Sequence, residues 1–536
     1  MKMKNKNISM KLFLLNSYND LRKNEIILAI VSGLLLFLSF PKYGFGFMAW
    51  VALIPLFFAL INVASIKRAL LLGFITGVVG YVGIIYWITY VVVNYGYLPL
   101  YLGVVIMLML TCYLSIYTAI FAAGIFFFRQ RVALCLIAPS LWICLEYCKS
   151  TFLTGFPWEN LGYSQYHNFH LIQFADVFGV FGLSFIIIMV NAAIFEVIVN
   201  KSKSKKAFIT AAAVFFVFGA VFLYGIIRVS QIDKEIDKAQ GMKVTLIQGN
   251  IDQAVKWDEK FQRKTLSIYE QLSLQNAPES GGLLIWPETA LPFNFDDESD
   301  FQVKVKNLPI RTKSWFIFGA VSYPPYTGNR DFFNSAYLLS PDGEVQGKYN
   351  KVHLVPYGEY VPLRNVFPFI KKLTAGIGDF TAGDGFHPLL MNDKKIGILI
   401  CYEGILSDAA RMYKNQSAQL LVNITNDAWF GVTSAPFQHF TMALFRAVET
   451  RLYLVRAANT GISGIIDPRG KIIAQTNIFE AQALKGNIKY LNIYSFYAKN
   501  GDILVAICFV LIIICFSFNW KGRSKNDNRK HARNSK

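Results

Sequence analysis

Long apolar segments separated by short polar stretches limit the possible folds of this chain more than any other feature. Of its 536 residues, 54% are hydrophobic and only 16% are charged, which is too apolar for an ordinary soluble protein. A bilayer core about 30 Å thick requires about 20 apolar residues in helical form. The pattern predicts a membrane α-helical bundle with about eight transmembrane helices, at residues 26–40, 46–63, 69–93, 98–128, 132–148, 171–199, 207–227 and 503–519.

Basic residues indicate how these spans are oriented. The formal net charge of +19 could suggest nucleic-acid binding, but lysine and arginine cluster at alternate ends of the predicted spans, which is a pattern of membrane topology. The positive-inside rule then predicts that both termini are cytoplasmic. The basic residues assigned to that side are Lys2, Lys4, Lys6, Lys11, Arg22, Lys23, Lys67, Arg68, Arg129, Arg131, Lys201, Lys203, Lys205, Lys206, Lys521, Arg523, Lys525, Arg529, Lys530, Arg533 and Lys536.

Three domains are predicted from this arrangement: an N-terminal membrane domain with seven transmembrane helices (1–227), an extracytoplasmic domain (228–502), and a C-terminal transmembrane helix with a basic tail (503–536). In the second domain, apolar runs such as MKVTLIQGN and KIGILICYE alternate with helical patterns, and NSAYLLSPDGEVQGKYNK predicts a hairpin that turns at Asp342-Gly343. Continuous apolar strands with helices between them predict a layered α/β domain.

One cysteine of the extracytoplasmic domain is set apart from the others. Cys401 is the only thiol between positions 228 and 502, whereas the other six cysteines fall in apolar segments. It follows an apolar strand, as does Glu288, and Lys351 stands in a loop beyond another strand. Each residue has an ordinary structural interpretation: a solvated glutamate, a surface lysine and a core cysteine.

Together, however, the three residues suggest nucleophilic catalysis. A thiol with a pKa of about 8.5 needs a base or a nearby cation to react as a thiolate at neutral pH. Glutamate can accept the proton, and lysine can stabilise a developing oxyanion. The backbone N–H of Tyr402 could donate to the same oxyanion.

Several motifs resemble a known family. LLIWPE, GKYNKVHLVPYGE and ILICYE resemble the nitrilase, or carbon-nitrogen hydrolase, superfamily, whose Glu-Lys-Cys triad lies on an αββα sandwich. Because these motifs stand in a polytopic chain, the sequence resembles more specifically the apolipoprotein N-acyltransferase family. Further motifs that carry this resemblance are QGNIDQAVKW, NITNDAWFG, RAANTGISGIIDPRG and LTGFPWENLGYSQ. The resemblance implies a membrane α-helical bundle joined to an α/β nitrilase-like αββα sandwich.

The resemblance also implies roles for individual residues. It makes Glu288 the base, Lys351 the cation and Cys401 the nucleophile. The positions treated as supporting the active site are Glu359, Tyr402, Glu403 and Trp257. The chain departs from the family at Tyr357, where we expect phenylalanine, and at Lys149, where we expect arginine. Lysine cannot make the bidentate phosphate contact of arginine, so a contact with a lipid headgroup is expected to change.

The implied reaction has two steps and needs no metal or other cofactor. Cys401 takes an acyl chain from a membrane phospholipid, with phosphatidylethanolamine as the expected donor, and passes it to the α-amine of the N-terminal diacylglyceryl-cysteine of an apolipoprotein. The implied protein is a monomer of the bacterial inner membrane with its catalytic domain on the periplasmic side, and no nucleic-acid partner is expected. His353 and His439 are interpreted as structural residues rather than metal ligands.

Access to the site and two other functions remain as hypotheses. Phe156, Trp158 and Trp429 are expected either to line a lipid opening or to anchor the protein at the membrane interface, and residues 363–385 are expected to form a lid. A membrane-tethered nitrilase or amidase that acts on a small amide or nitrile would use the same triad. A transporter or scaffold is disfavoured, because the predicted spans contain few ionisable residues.

Overall fold

The computed structural model describes residues 24–129, 132–199, 205–253, 256, 258–279, 281–323, 332–360 and 379–534. A helical N-terminal part is followed by an α/β part and a long C-terminal helix. The helices of the N-terminal part are Glu25–Leu38 (α1), Ile54–Leu60 (α2), Ile66–Ile85 (α3), Trp87–Gly96 (α4), Leu100–Phe128 (α5), Leu134–Thr151 (α6), Ala175–Val199 (α7) and Lys205–Lys238 (α8).

The predicted membrane spans correspond only partly to helices long enough to cross a bilayer. Four segments of the described chain are both long and apolar enough: Ile66–Ile85, Leu100–Phe128, Leu171–Val199 and Phe208–Lys238. Three shorter apolar helical segments cover Glu25–Leu38, Gly46–Leu60 and Ile503–Phe518. The predicted number of eight transmembrane helices therefore stays a prediction.

Local breaks explain why some apolar runs do not form one long helix. Residues 46–63 fold as a 3-10 helix, Gly46–Trp50, followed by the short helix α2. The predicted span 69–93 is divided between α3 and α4 at Tyr86. Conversely, α8 continues past the predicted boundary at residue 227 through its polar end to Lys238, because its polar tail keeps a helical pattern.

The α/β part begins at Gly241 and consists of two similar halves. The first half contains Gly241–Gln248 (β1), Glu259–Gln275 (α9), Leu283–Ile285 (β2), Asp300–Thr312 (α10), Trp315–Ser322 (β3), Phe333–Leu339 (β4) and Val345–Asn350 (β5). The second half, with the C-terminal helices, contains Leu389–Met391 (β6), Lys394–Ile400 (β7), Ser407–Asn415 (α11), Leu420–Thr425 (β8), Ala435–Thr450 (α12), Tyr453–Ala458 (β9), Gly464–Ile466 (β10), Ile472–Gln475 (β11), Gln482–Lys489 (β12), Phe496–Asn500 (α13) and Ile503–Asn534 (α14).

Within the described residues, these strands form two six-stranded sheets, in the orders β12-β1-β2-β3-β4-β5 and β11-β10-β9-β8-β7-β6. Each sheet has a parallel centre, β1-β2-β3 in one and β7-β8-β9 in the other, with antiparallel strands added at its edges. The hairpin predicted at Asp342-Gly343 is confirmed, because β4 and β5 pair antiparallel on either side of it.

Side-chain alternation in the buried strands explains the layered packing. In β2, Leu283 and Ile285 join the core between the sheets, whereas Leu284 points to a second core. That second core includes Leu266 and Tyr269 of α9, so helices cover the outer face of the first sheet. Because successive strand residues face opposite sides, a strand buried on both faces needs the continuous apolar run seen in the sequence.

Helix α12 lies between the second sheet and the helical N-terminal part. Its residues are almost all buried, because it packs on β9 from one side and on α7 from the other. Next to it, the guanidinium of Arg451 donates from Nε to Asp176 of α7 at 2.9 Å. The same carboxylate accepts from Arg228 of α8 at 2.7 Å, so the α/β part is bound firmly to the helices.

Candidate active site

Strand ends bring the three residues of the candidate triad together. Glu288 follows β2, Lys351 comes directly after β5, and Cys401 comes directly after β7. The first two belong to one sheet and the third to the other. Contacts link them: Asn334 donates to both Glu288 and Glu359, Glu359 pairs with Lys351, and Glu403 joins the loop after Lys351 to the residue before Cys401. The structure therefore assembles a carboxylate, an ammonium group and a thiol in one site between the sheets.

Cys401 occupies a strained position at the start of the 3-10 helix Cys401–Ile405. Its φ of +54° lies in the left-handed region, where a residue other than glycine is under strain that often marks a functional site. The side chain is half-buried, and its thiol bonds to the Thr425 side chain. Burial and the charge of Glu288 raise the pKa of Cys401, although Lys351 opposes them. The resting group is therefore a thiol that needs a base.

Glu288 is positioned to be that base. Its carboxylate is buried and accepts from Asn334 Nδ2 at 2.7 Å and from the Asn426 backbone N–H at 2.8 Å. Burial raises the pKa of Glu288, and Glu359 raises it further, while Lys351, Asn334 and Lys256 oppose the rise. A carboxylate with a raised pKa accepts a proton more readily near neutral pH.

Lys351 is held as a cation beneath the surface. Its ammonium lies 2.7 Å from Oε2 of Glu359, and the side chain is 1% exposed. Burial alone would lower the pKa of Lys351, but Glu359, Cys401 and Glu288 raise it above its usual range. Glu359 is itself fixed, because it also accepts from Asn334 Nδ2 at 3.1 Å and from the Val355 N–H at 2.8 Å.

Glu403 ties the lysine loop to the cysteine strand. Its buried carboxylate accepts four hydrogen bonds from groups in β5, just after β5 and at the end of β7, and so joins the two segments that present the ammonium and the thiol. Burial raises the pKa of Glu403 to about 7, while Lys351 and the backbone N–H donors oppose the rise. The donors are the hydroxyl of Tyr349 at 2.9 Å and the backbone N–H groups of Val352 at 2.8 Å, His353 at 3.0 Å and Ile400 at 2.7 Å.

The remaining predicted residues lie in different surroundings. Tyr402 is buried, and its ring stacks on His353 with centroids 5.7 Å apart. Trp257 lies outside the described residues. Phe156 and Trp429 are half-buried, whereas Trp158 is 2% exposed and does not lie at a surface.

The loop expected to form a lid is described only at its end. Residues 361–378 lie outside the described part of the chain. Beyond them, the Phe380 N–H donates to the Glu359 carbonyl at 3.0 Å, and the Gly383 N–H donates to the Lys351 carbonyl at 2.8 Å. The C-terminal end of this loop is thus bonded to the lysine and glutamate segments of the site, and the lid itself stays a prediction.

Lys149, the position at which a headgroup contact is expected to change, lies buried beneath the loop that follows α6. Its side chain is 2% exposed, and its ammonium donates to the Trp158 carbonyl at 3.0 Å. It lines a cavity of about 30 Å³ between the helices together with Glu146 and Glu159. Two buried carboxyl groups therefore lie close to this ammonium, because the loop after α6 folds inward over the lysine.

Several residues in contact with the triad were not singled out from the sequence. They are Asn334, Asn426 and Lys256, which act on Glu288, whereas His439, interpreted as structural, contacts the Cys401 carbonyl. Asn426 and Lys256 stand inside motifs that resemble the family, NITNDAWFG and QGNIDQAVKW, so the motif itself was the available signal. No local pattern distinguishes Asn334, the second residue of β4, from an ordinary strand residue.

Comparison with known proteins extends over both parts of the chain. Residues 32–193 match the family described as Apolipoprotein N-acyltransferase N-terminal domain, and residues 243–496 match Carbon-nitrogen hydrolase. The apolipoprotein N-acyltransferase of Geobacter metallireducens is 42% identical over 496 residues, which are 92% of this chain and 94% of that protein.

Two further relatives carry the same name. The apolipoprotein N-acyltransferase of Rickettsia prowazekii is 35% identical over 73% of this chain and 77% of its own length. That of Methylococcus capsulatus is 31% identical over 94% of this chain and 98% of its own length. The prediction of a nitrilase-like αββα domain joined to a helical N-terminal part is confirmed.

Proposed function

The chain belongs to the apolipoprotein N-acyltransferase family, and from this premise we propose that it moves an acyl chain from a membrane phospholipid to an apolipoprotein. The acceptor is the free α-amine of the N-terminal diacylglyceryl-cysteine, and the product is the triacylated lipoprotein. The observation that carries the proposal is the half-buried thiol of Cys401 under the direct influence of the Glu288 carboxylate and the Lys351 ammonium.

The first step forms a thioester. Glu288 takes the proton of the Cys401 thiol, and the sulfur attacks the ester carbonyl of the phospholipid. Negative charge then develops on the carbonyl oxygen, where Lys351 and the Tyr402 N–H stabilise it. The carbon–oxygen bond breaks, and the leaving lysophospholipid takes the proton back from Glu288.

The second step transfers the acyl chain to the amine. The neutral α-amine attacks the thioester carbonyl, and Glu288 accepts a proton from the attacking nitrogen. Lys351 again stabilises the oxyanion. The carbon–sulfur bond breaks, an amide forms, and the proton on Glu288 returns to Cys401, so the enzyme is restored.

The membrane arrangement is part of the same proposal. We place eight transmembrane helices in the chain, with domains at 1–227, 228–502 and 503–536, both termini in the cytoplasm and the catalytic domain on the periplasmic side of the inner membrane. Both substrates are held by acyl chains, so the site must open near the outer leaflet. Phosphatidylethanolamine is the proposed donor, and the enzyme works as a monomer.

The route of the acyl chain is proposed to pass the half-buried aromatic residues Phe156 and Trp429. Trp429 packs against Tyr95 of α4 with ring centroids 4.8 Å apart, which places it where the α/β part meets the helices. Trp158 lies behind Phe156, with ring centroids 6.2 Å apart, and supports it. Residues 363–385 are proposed to exclude water from the thioester.

The test is direct detection of the intermediate. Purified protein is incubated with acyl-labelled phosphatidylethanolamine, and a hydroxylamine-sensitive fatty adduct is expected at position 401 by mass spectrometry. Cys401→Ala removes the adduct, whereas Cys112→Ser, an exposed thiol on α5, retains it. A small polar acyl group at position 401, with no fatty adduct, would favour the membrane-tethered nitrilase or amidase instead.

A further inference from the structure

A buried histidine lies directly behind the nucleophile and has no part in the steps above. Nε2 of His439, on α12, lies 3.2 Å from the backbone carbonyl oxygen of Cys401. The side-chain amide of Asn423 reaches the same oxygen from Nδ2 at 3.4 Å. The carbonyl of the strained residue is therefore held from two sides, and the shorter contact comes from the histidine.

Peptide geometry makes this contact relevant to the oxyanion. The carbonyl of Cys401 and the N–H of Tyr402 belong to one planar trans peptide, in which the two groups point in opposite directions. Holding the oxygen on one side therefore fixes the direction of the N–H on the other. That N–H is the proposed backbone donor to the oxyanion, and its alignment decides its strength.

The histidine ring is itself fixed by charged neighbours. Its Nδ1 lies 2.9 Å from Oδ1 of Asp427 and 3.0 Å from the Arg456 guanidinium, which donates to Oδ2 of Asp427 at 2.8 Å. Burial and Arg456 lower the pKa of His439, although Asp427 opposes them. We assign the proton of the neutral ring to Nε2, because the Cys401 carbonyl can only accept a hydrogen bond and the Arg456 guanidinium can donate to Nδ1 in that tautomer.

Two aromatic residues pack against the same ring. Trp158, from the loop after α6, lies with its ring centroid 5.9 Å from that of His439, and Phe430 lies at 6.1 Å. The indole N–H of Trp158 donates to Oε1 of Gln438 at 2.8 Å, so the tryptophan cannot turn freely. The helical N-terminal part thus contacts the histidine that touches the nucleophile's carbonyl.

We propose that His439 is a positioning residue, which donates from Nε2 to the Cys401 carbonyl and so aims the Tyr402 N–H at the oxyanion. Trp158 holds the ring in this orientation, which makes the donor's alignment depend on the docking of the loop at 152–160. The inference rests on the proposed function, because it concerns the oxyanion of that reaction.

The experiment separates oxyanion stabilisation from thiol reactivity in the full-length protein. In His439→Leu, kcat for thioester formation from phosphatidylethanolamine is expected to fall by about 10- to 100-fold, less than the loss of a whole oxyanion donor, with KM within about twofold. Alkylation of Cys401 by iodoacetamide forms no oxyanion, so its rate is expected to stay within about twofold. The exposed His387 provides a control, and His387→Leu is expected to match the parent in both assays.

A conservative variant keeps the test valid if the leucine variant fails to fold. The glutamine in His439→Gln presents an N–H at similar reach, so it is expected to keep most of the activity, whereas the shorter asparagine in His439→Asn is expected to keep less. Equal rates in these two variants, an unchanged rate in His439→Leu, a change in KM alone, or an equal loss of alkylation would each overturn the proposal.

Failure of this inference is distinguishable from failure of the proposed function. If the parent protein formed no fatty adduct, the proposed function would fail. Hydrolysis of a p-nitrophenyl ester also passes through a tetrahedral oxyanion, so the same comparison of kcat between parent and His439→Leu applies without a phospholipid. A parent-like rate with that ester would overturn the role of His439.

Discussion

Glu288 must be ionised to accept a proton, yet it is buried beside another carboxylate. Burial and Glu359 raise the pKa of Glu288, and nearby cations restrain the rise. The fraction of enzyme with an ionised base falls as the pH falls through this raised pKa. The acidic limb of the pH–rate profile is therefore expected above the range of an exposed glutamate.

Lys256 provides a test of this electrostatic balance. Its buried ammonium donates to the Thr289 hydroxyl at 2.7 Å, next to the base, and its charge lowers the pKa of Glu288. Removing that charge in Lys256→Met is expected to move the acidic limb of kcat/KM to higher pH. The pH–rate profile of thioester formation measures the shift, with Lys264→Met, an exposed lysine on α9, as control. A limb that stays in place would show that Lys256 does not act on the base.

Glu403 is expected to affect both stability and activity. A glutamine at this position presents an NH₂ group to donors that need an acceptor, and an unsatisfied buried group costs about 1–3 kcal/mol. Glu403→Gln is therefore expected to lower the thermal midpoint and to slow thioester formation, because the lysine and cysteine segments lose their common anchor. Glu344→Gln, an exposed glutamate near β5, is the control. A parent-like midpoint and rate would contradict the role given to Glu403.

At this scale, the residues that could be predicted are those that end continuous apolar runs. Glu288 and Cys401 follow buried strands, so their positions at strand ends were predictable from local pattern, whereas Lys351 follows the mostly exposed β5 and was predicted from the motif GKYNKVHLVPYGE. Asn334 and Asn426 contact Glu288 across 46 and 138 positions of sequence. The order of the strands in the sheets brings these residues together, and the hydrophobic periodicity of the sequence does not reveal that order.

Among the elements, α6 and the loop that follows it differ most from expectation. The sequence predicted an ordinary span, but its end carries Glu146 and Lys149, and Glu159 folds back onto them. Both oxygens of the Glu159 carboxylate lack a hydrogen-bond partner among the described residues. Lys149 lines the same cavity as the two carboxyl groups, and its ammonium holds the loop through the Trp158 carbonyl.

Removal of that cation gives a prediction for the loop. In Lys149→Met, the buried Trp158 carbonyl loses its donor, and an unsatisfied buried group costs about 1–3 kcal/mol. The thermal midpoint is expected to fall, and the loop at 152–160 is expected to exchange its amide hydrogens faster. Lys149→Arg keeps the charge and serves as the matched variant. Equal exchange in Lys149→Met and Lys149→Arg would remove this role from the lysine.

Helix breaks show what apolar composition alone does not predict. The run at 46–63 is long enough to span a membrane but folds as two short helices, and 69–93 is divided at Tyr86. Hydropathy measures only whether a segment can be buried in lipid. Whether it stays one helix depends on packing against its neighbours, which is a tertiary property.

In the molecule as a whole, two aspartate–arginine pairs join the helices to the α/β part, and they differ in burial. Asp176 is 1% exposed and pairs with Arg451 and Arg228. Asp233 of α8 pairs with Arg469, but its side chain is 44% exposed. Removing the Asp176 carboxylate leaves two guanidinium groups without their partner. Removing the Asp233 carboxylate breaks a pair that is already partly in contact with water.

The comparison of these two pairs tests whether docking of the domains controls catalysis. Asp176→Asn is expected to destabilise the protein by about 3–5 kcal/mol, and Asp233→Asn by about 1 kcal/mol or less. Because docking holds Trp158 against His439, Asp176→Asn is also expected to slow thioester formation from phospholipid more than it slows alkylation of Cys401. Thermal unfolding and the two rates, measured on both variants in the same vesicles, check this. If both variants lost stability equally, or if alkylation fell as far as acyl transfer, docking through Asp176 would have no special part in catalysis.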